Sequence, residues 1–62
     1  MQIKLQLAAR KDGKRLREYR EVDENGIDVL DGHWVVGTPW LRKSRLGTEP
    51  PKLIHVTLDW ED

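Results

Sequence analysis

The segment from Gln2 to Ala8 alternates strictly, with Ile3, Leu5 and Leu7 on one face and Gln2, Lys4 and Gln6 on the other. Successive side chains of an extended chain point to opposite faces, so this period of two predicts a half-buried strand. The pattern returns near the far end, where Ile54, Val56, Leu58 and Trp60 are set against His55, Thr57 and Asp59, and it predicts a closing strand there. After the first strand, Asp12-Gly13 is a turn pair of the kind that closes a hairpin. The return segment is ambiguous by spacing alone, because Leu16, Tyr19 and Val22 recur every third residue. Charge order resolves it. A helix would carry Lys14, Arg15 and Arg17 at its partially positive N-terminus and Glu21, Asp23 and Glu24 at its negative C-terminus, against its dipole at both ends. A strand with a bulge is predicted instead.

Glu24-Asn25-Gly26 predicts a second turn, and "IDVLDGHWVV" reads as a second hairpin with Asp31 and Gly32 as its loop. That register puts Ile27, Val29, Trp34 and Val36 on one face and assigns Trp34 to the core. Pro39 has no N–H to give to a ladder, so it belongs at an edge, a bulge or a strand end, with regular pairing stopping near Thr38. "KSRLG" predicts one short helical turn near 42–46 ended by Gly47, and "TEPP" a stiff extended connection. Together these elements predict a single small β domain over 1–62, mainly β, with about five short antiparallel strands forming an open sheet or small barrel.

A chain of 62 residues buries only about 60% of the surface it exposes when unfolded, so its core is thin. It has no cysteine for a disulfide, which leaves dimerisation as the remaining way to reinforce so small a fold, and a homodimer is expected. The alternating N-terminus predicts neither a signal peptide nor a membrane span, so a cytoplasmic location without membrane contact is expected. Net charge is zero, yet charge is segregated along the chain. Residues 1–20 sum to +5, residues 21–31 to −5, residues 32–52 to +3 and residues 53–62 to −3. Such blocks either pair with one another across a sheet or dimer interface, or they build a functional basic face.

Catalytic chemistry finds little support. Ser44 is the only serine, it stands in a basic block with no histidine near it, and the scattered glycines make no phosphate-cradling loop. His33 and His55 lack metal-ligand spacing, so no metal and no cofactor is expected and the protein is read as non-enzymatic. Two basic clusters remain. Arg10, Lys11, Lys14 and Arg15 surround the first hairpin tip, and Arg42, Lys43 and Arg45 follow Trp40. Cations at a tip reach phosphates freely, and an aromatic ring beside cations can stack on a base, a contact worth about 1 to 3 kcal/mol per base. These eight residues predict a nucleic-acid-binding module, DNA in preference to RNA, acting as a homodimer. The alternatives are a protein-interaction module, such as a small inhibitor or assembly factor from a phage or mobile element that binds through Trp40 or a strand edge, and a purely structural dimer.

From Pro39 onward, Pro39, Arg42, Leu46, Gly47, Ile54 and Val56 stand at positions that resemble the second half of the swapped-hairpin DNA-binding domains of transition-state regulators and some antitoxins. The resemblance implies an intertwined dimer that applies arginines to DNA. The chain departs from that pattern in carrying a complete hairpin ahead of this element, and in Trp34, which stands where the pattern has a glycine.

Overall fold

The computed structural model of the protein describes residues 1–61. Four antiparallel strands, β1 (Gln2–Asp12), β2 (Leu16–Val22), β3 (Trp40–Arg42) and β4 (Leu53–Asp59), form one curled open sheet in the order β3-β2-β1-β4. The mainly β reading is therefore correct. Both alternating segments are strands, and they pair with each other from Gln2 opposite Asp59 to Ala8 opposite Leu53. The ambiguous return segment is also a strand. Its bulge lies in the partner: Ala9 faces Tyr19 and Lys11 faces Glu18, which leaves Arg10 as the extra residue of β1.

The first turn differs in detail from the expectation. Gly13 donates its N–H to the Leu16 carbonyl at 2.9 Å, so Lys14 and Arg15 form the loop. Gly13 does not adopt positive φ. It is required by close approach, because a Cβ there would stand 2.7 Å from the Leu16 carbonyl oxygen and 3.4 Å from the Trp40 ring.

The register assigns the faces. Ile3, Leu5, Leu7 and Ala9 share one face with Leu58, Val56 and Ile54 on β4 and with Glu21 and Tyr19 on β2. Among the described residues only Leu7, Tyr19 and Val22 are buried apolar residues, as the thin core of a short chain requires. Polar contacts from β2 supplement it. Tyr19, with no exposed surface, donates its hydroxyl to the Pro51 carbonyl at 2.7 Å, and Arg17 donates to the Pro50 carbonyl at 2.7 Å. The extended connection from β3 to β4 is thereby strapped across the sheet, and it carries the chain from one edge to the other.

Neither arm of the hairpin expected over residues 27–36 forms a strand, and amides of its second arm are engaged elsewhere. Residues 27–36 make only a bridge between Val22 and Asp28 and a 3-10 turn over Asp31–His33. Glu21 is 4% exposed, and its Oε1 accepts the N–H groups of Val35 at 2.9 Å, Val36 at 2.8 Å and Gly37 at 3.2 Å. Asp31 and Gly32 thus lie in a 3-10 turn and not in a hairpin loop. Trp34 is half-buried instead of lying in a strand. Its ring donates to the Val29 carbonyl at 2.9 Å, packs against Gly37, whose φ is 75°, and carries the Arg20 guanidinium 5.3 Å above its centre.

Beyond this loop, pairing resumes and does not end near Thr38. The carbonyls of Gly37 and Pro39 accept from Glu21 and Tyr19, and β3 continues to Arg42 opposite Leu16. Pro39 occupies an edge, as its missing donor demands. The second turn forms as expected, with the Asp23 carboxylate accepting from Asn25 and Ile27 and Gly26 at φ 81°. A 3-10 turn over Lys43–Arg45 precedes Gly47, the second such turn where one was expected near 42–46. Trp60 lies one residue past the end of β4, where its backbone still pairs with Met1, but at 40% exposed it adds little to the buried side of the sheet.

Burial opposes the ionisation of Glu21 and is the largest single influence on it, but the three backbone donors together outweigh burial and hold its carboxyl below the usual glutamate range. A depressed carboxyl contributes stability that is complete above the unfolded-state pKa and disappears as pH falls through the folded-state value. Glu21→Ala is expected to cost about 2 to 3 kcal/mol, from the loss of charge-assisted bonds to three amides. The gap in melting temperature between wild type and Glu21→Gln is expected to narrow as the buffer is taken below the carboxylate range, and a gap independent of pH would contradict the assignment. Gly13→Ala is expected to cost about 1 to 3 kcal/mol through overpacking against the Leu16 carbonyl, read in a denaturant melt.

Candidate nucleic-acid interface

Antiparallel pairing converts the alternating charge blocks into a polar molecule. The C-terminal end of β1, the start of β2, the end of β3 and the start of β4 all lie at one end of the sheet. That end carries Lys11, Lys14, Arg15, Arg42, Lys43 and Lys52, whereas Asp23 and Glu24 follow β2, and Asp59 and Glu61 lie at and just past the end of β4, at the other. The blocks therefore separate largely by sign, except where Asp12 and Asp28 reach arginines and a lysine and where Glu18 faces Lys11 across the ladder.

Two clusters far apart in sequence meet at the basic end. Leu16 pairs with Arg42, and the Lys43 N–H bonds to the Arg15 carbonyl at 2.9 Å, which lays the β3 terminus and its 3-10 turn beside the hairpin tip. Lys14, Arg15, Arg42, Lys43 and Ser44 line an open cleft of about 340 Å³. Lys43 is held in place by Asp12 at 2.6 Å and by the Gly13 carbonyl at 2.7 Å. That hydrogen bond from Lys43, helped by its charge and that of Arg17, keeps the Asp12 carboxyl below the usual aspartate range against an opposing desolvation. Lys14, Arg15 and Arg42 have no ion-pair partner among the described residues.

Trp40 stands on the flank of this tip. It lies opposite Glu18 in the β3–β2 ladder, its ring rests over Gly13, and it is 46% exposed. Its neighbour on the same face is Leu16, which is also partly exposed. The ring is thus neither closed into the core nor free: the absence of a Cβ at Gly13 gives it a floor and leaves its outer surface open.

The remaining candidates lie elsewhere. Arg10, ejected by the bulge, turns to Asp28, which also approaches Arg20 at 3.2 Å, so its charge is neutralised away from the tip. Lys11 lines a neighbouring groove of about 360 Å³ with Arg10, Asp12, Arg17 and Lys52. Arg45 ends the 3-10 turn without lining the cleft. Lys52 was not anticipated. The signal for it was the pairing of the two firmly alternating strands, which in antiparallel order returns the start of the last strand to the basic end. Asp12 was read only as a turn residue, yet it is the internal counter-ion of the site.

Ser44 shares the cleft with cations, and neither histidine lines it. His33 and His55 border a larger open hollow of about 550 Å³ where β2 ends, and no group of three or more potential metal ligands occurs among the described residues. Among the same residues no helix is long and apolar enough to cross a membrane. No protein-family model matches the chain, and neither a curated protein nor a solved structure matches it.

Proposed function

We propose that the protein is a small non-enzymatic nucleic-acid-binding module that grips phosphates in the Lys14/Arg15/Arg42/Lys43 cleft and stacks a base on Trp40. The carrying observation is the meeting of two separately encoded cation pairs in one cleft beside a half-exposed tryptophan. Three of the four cations are uncompensated, and the fourth is already oriented by Asp12. A flexible single strand suits this geometry best, because its bases are free to reach the ring while its backbone follows the cations.

Fluorescence anisotropy with labelled single-stranded oligonucleotides provides the test. Four phosphate contacts on a single strand give a slope of about −3 in log affinity against log salt. Lys14→Glu with Arg15→Glu is expected to weaken binding more than tenfold, Arg10→Ala to leave it nearly unchanged, and Asp12→Asn to strengthen it by releasing Lys43. No binding at low salt, or an Arg10→Ala effect as large as that at the tip, would overturn the reading.

A second reading has its own observation. Ile27, Leu30, Val35 and Val36 are 63%, 73%, 47% and 41% exposed along the acidic loop, and apolar side chains set among carboxylates suit a basic protein partner. Leu30→Ser is expected to abolish capture of such a partner while leaving oligonucleotide affinity intact.

A further inference from the structure

The outer edge of β4 is unpaired. At its two ends the Trp60 N–H bonds to the Met1 carbonyl and the Ala9 N–H to the Lys52 carbonyl, both within 2.9 Å. The even-numbered residues of this segment therefore turn their backbone groups to β1, and Leu53, His55, Thr57 and Asp59 turn theirs outward. Solvent-exposed edges are ordinarily protected by lysine, proline, bulges or shortness. The opposite edge has such protection: β3 is three residues long and flanked by Pro39 and Lys43. β4 has Pro51 and Lys52 only at its start; its seven residues pair with β1 without a register shift and contain neither lysine nor proline.

The molecule is also too exposed for a compact monomer. It presents 4982 Å² of surface, against roughly 4,200 Å² for a monomer of its mass of 7.3 kDa. The excess of roughly 800 Å² equals the share that one partner buries in a standard protein interface. Its radius of gyration is likewise 12.1 Å, where about 10.6 Å is typical of this length. Exposed apolar surface accompanies the open edge, with Leu53 at 44%, Trp60 at 40% and Met1 at 68%.

We propose that a second copy of the chain pairs antiparallel along β4, with the two-fold axis at Thr57, to make a continuous eight-stranded sheet. A symmetric interface must be self-complementary, and this register is. His55 falls opposite the partner's Asp59, Ile54 opposite the partner's Trp60, and Val56 opposite the partner's Leu58, each contact occurring twice. A register centred on His55 would instead oppose two histidines. The antiparallel arrangement also lays the basic end of each copy against the acidic end of the other, and it leaves both basic clefts open at opposite ends of the dimer. The interface is independent of nucleic-acid binding.

Sedimentation equilibrium and a single-cysteine scan test the pairing. The protein has no native cysteine, and residues facing each other as a hydrogen-bonded antiparallel pair have Cα atoms about 5.5 Å apart, within disulfide reach. Thr57→Cys is expected to form a disulfide dimer under mild oxidation, whereas His55→Cys, displaced from its own copy across the axis, is not. Thr57→Pro removes an outward N–H that β1 does not use, and it is expected to weaken dimerisation more than tenfold with the monomer's circular dichroism retained. If proline disturbs the strand, Thr57→Lys sets two like charges against each other at the axis and is expected to have the same effect. A wild type that stays monomeric at high micromolar concentration, a Thr57→Cys dimer that oxidation does not cross-link, or a Thr57→Lys variant that still dimerises at wild-type strength would overturn the proposal.

Discussion

A carboxylate taken out of water with three amides around it organises this fold. Glu21 sits among residues that a longer chain would cover with apolar side chains, and its Oε1 replaces that missing core with directed bonds to Val35, Val36 and Gly37. Those bonds return the chain to the edge of β2 after the excursion through residues 23–34, and they set the course from which β3 starts. Tyr19, two residues earlier on the same face, does the same for the later excursion through its bond to Pro51. One seven-residue strand thus secures both long connections. Directed polar contacts suit this task because a bond to a backbone group specifies position, whereas an apolar contact tolerates sliding. The cost of burying the charge is met by charge-assisted bonds, and a half-satisfied version would be worse than none.

The electrostatic layout is a consequence of topology acting on a simple sequence pattern. Charge changes sign from one block to the next, and the chain reverses direction at roughly the same interval. Like charges consequently collect at the same end of the sheet although the total is zero. The zero net charge argues neither for nor against a basic partner, since the relevant field is that of one end. Neutralisation is selective: Asp28 draws off Arg10 and approaches Arg20, while Asp12 orients Lys43 without covering Lys14, Arg15 or Arg42. Asp12 engages Lys43 and offsets part of the positive field at this end, so its carboxylate competes with an incoming anion for that one lysine.

The two alternating strands, the first hairpin and the turn at Asn25-Gly26 were legible because each rests on local chemistry: period-two burial, a turn residue, or a dipole that forbids the competing helix. The segment from Ile27 to Val36 was not. Its hairpin reading satisfied every local criterion, with a turn pair, a consistent register and an apolar face, and it failed because Glu21 lies outside the segment and captures its amides. The same limit applied to the site. The members of the two cation clusters were visible, but Arg10 reads like Lys14 until the bulge and Asp28 separate them, and Lys52 reads as part of a linker until β4 is placed beside β1.

By itself the sequence determined the mainly β class, the strands over Gln2–Asp12 and Leu53–Asp59 and the alternation of charge, because these depend on neighbouring residues and the intrinsic geometry of an extended chain. Tertiary structure alone decided that Glu21 dissolves the second hairpin, that β3 and β4 occupy opposite edges, and which cations share a cleft. Those outcomes depend on bonds between residues more than ten positions apart, and a side chain that can bind three distant amides outweighs the small local preferences on which any reading along the chain relies.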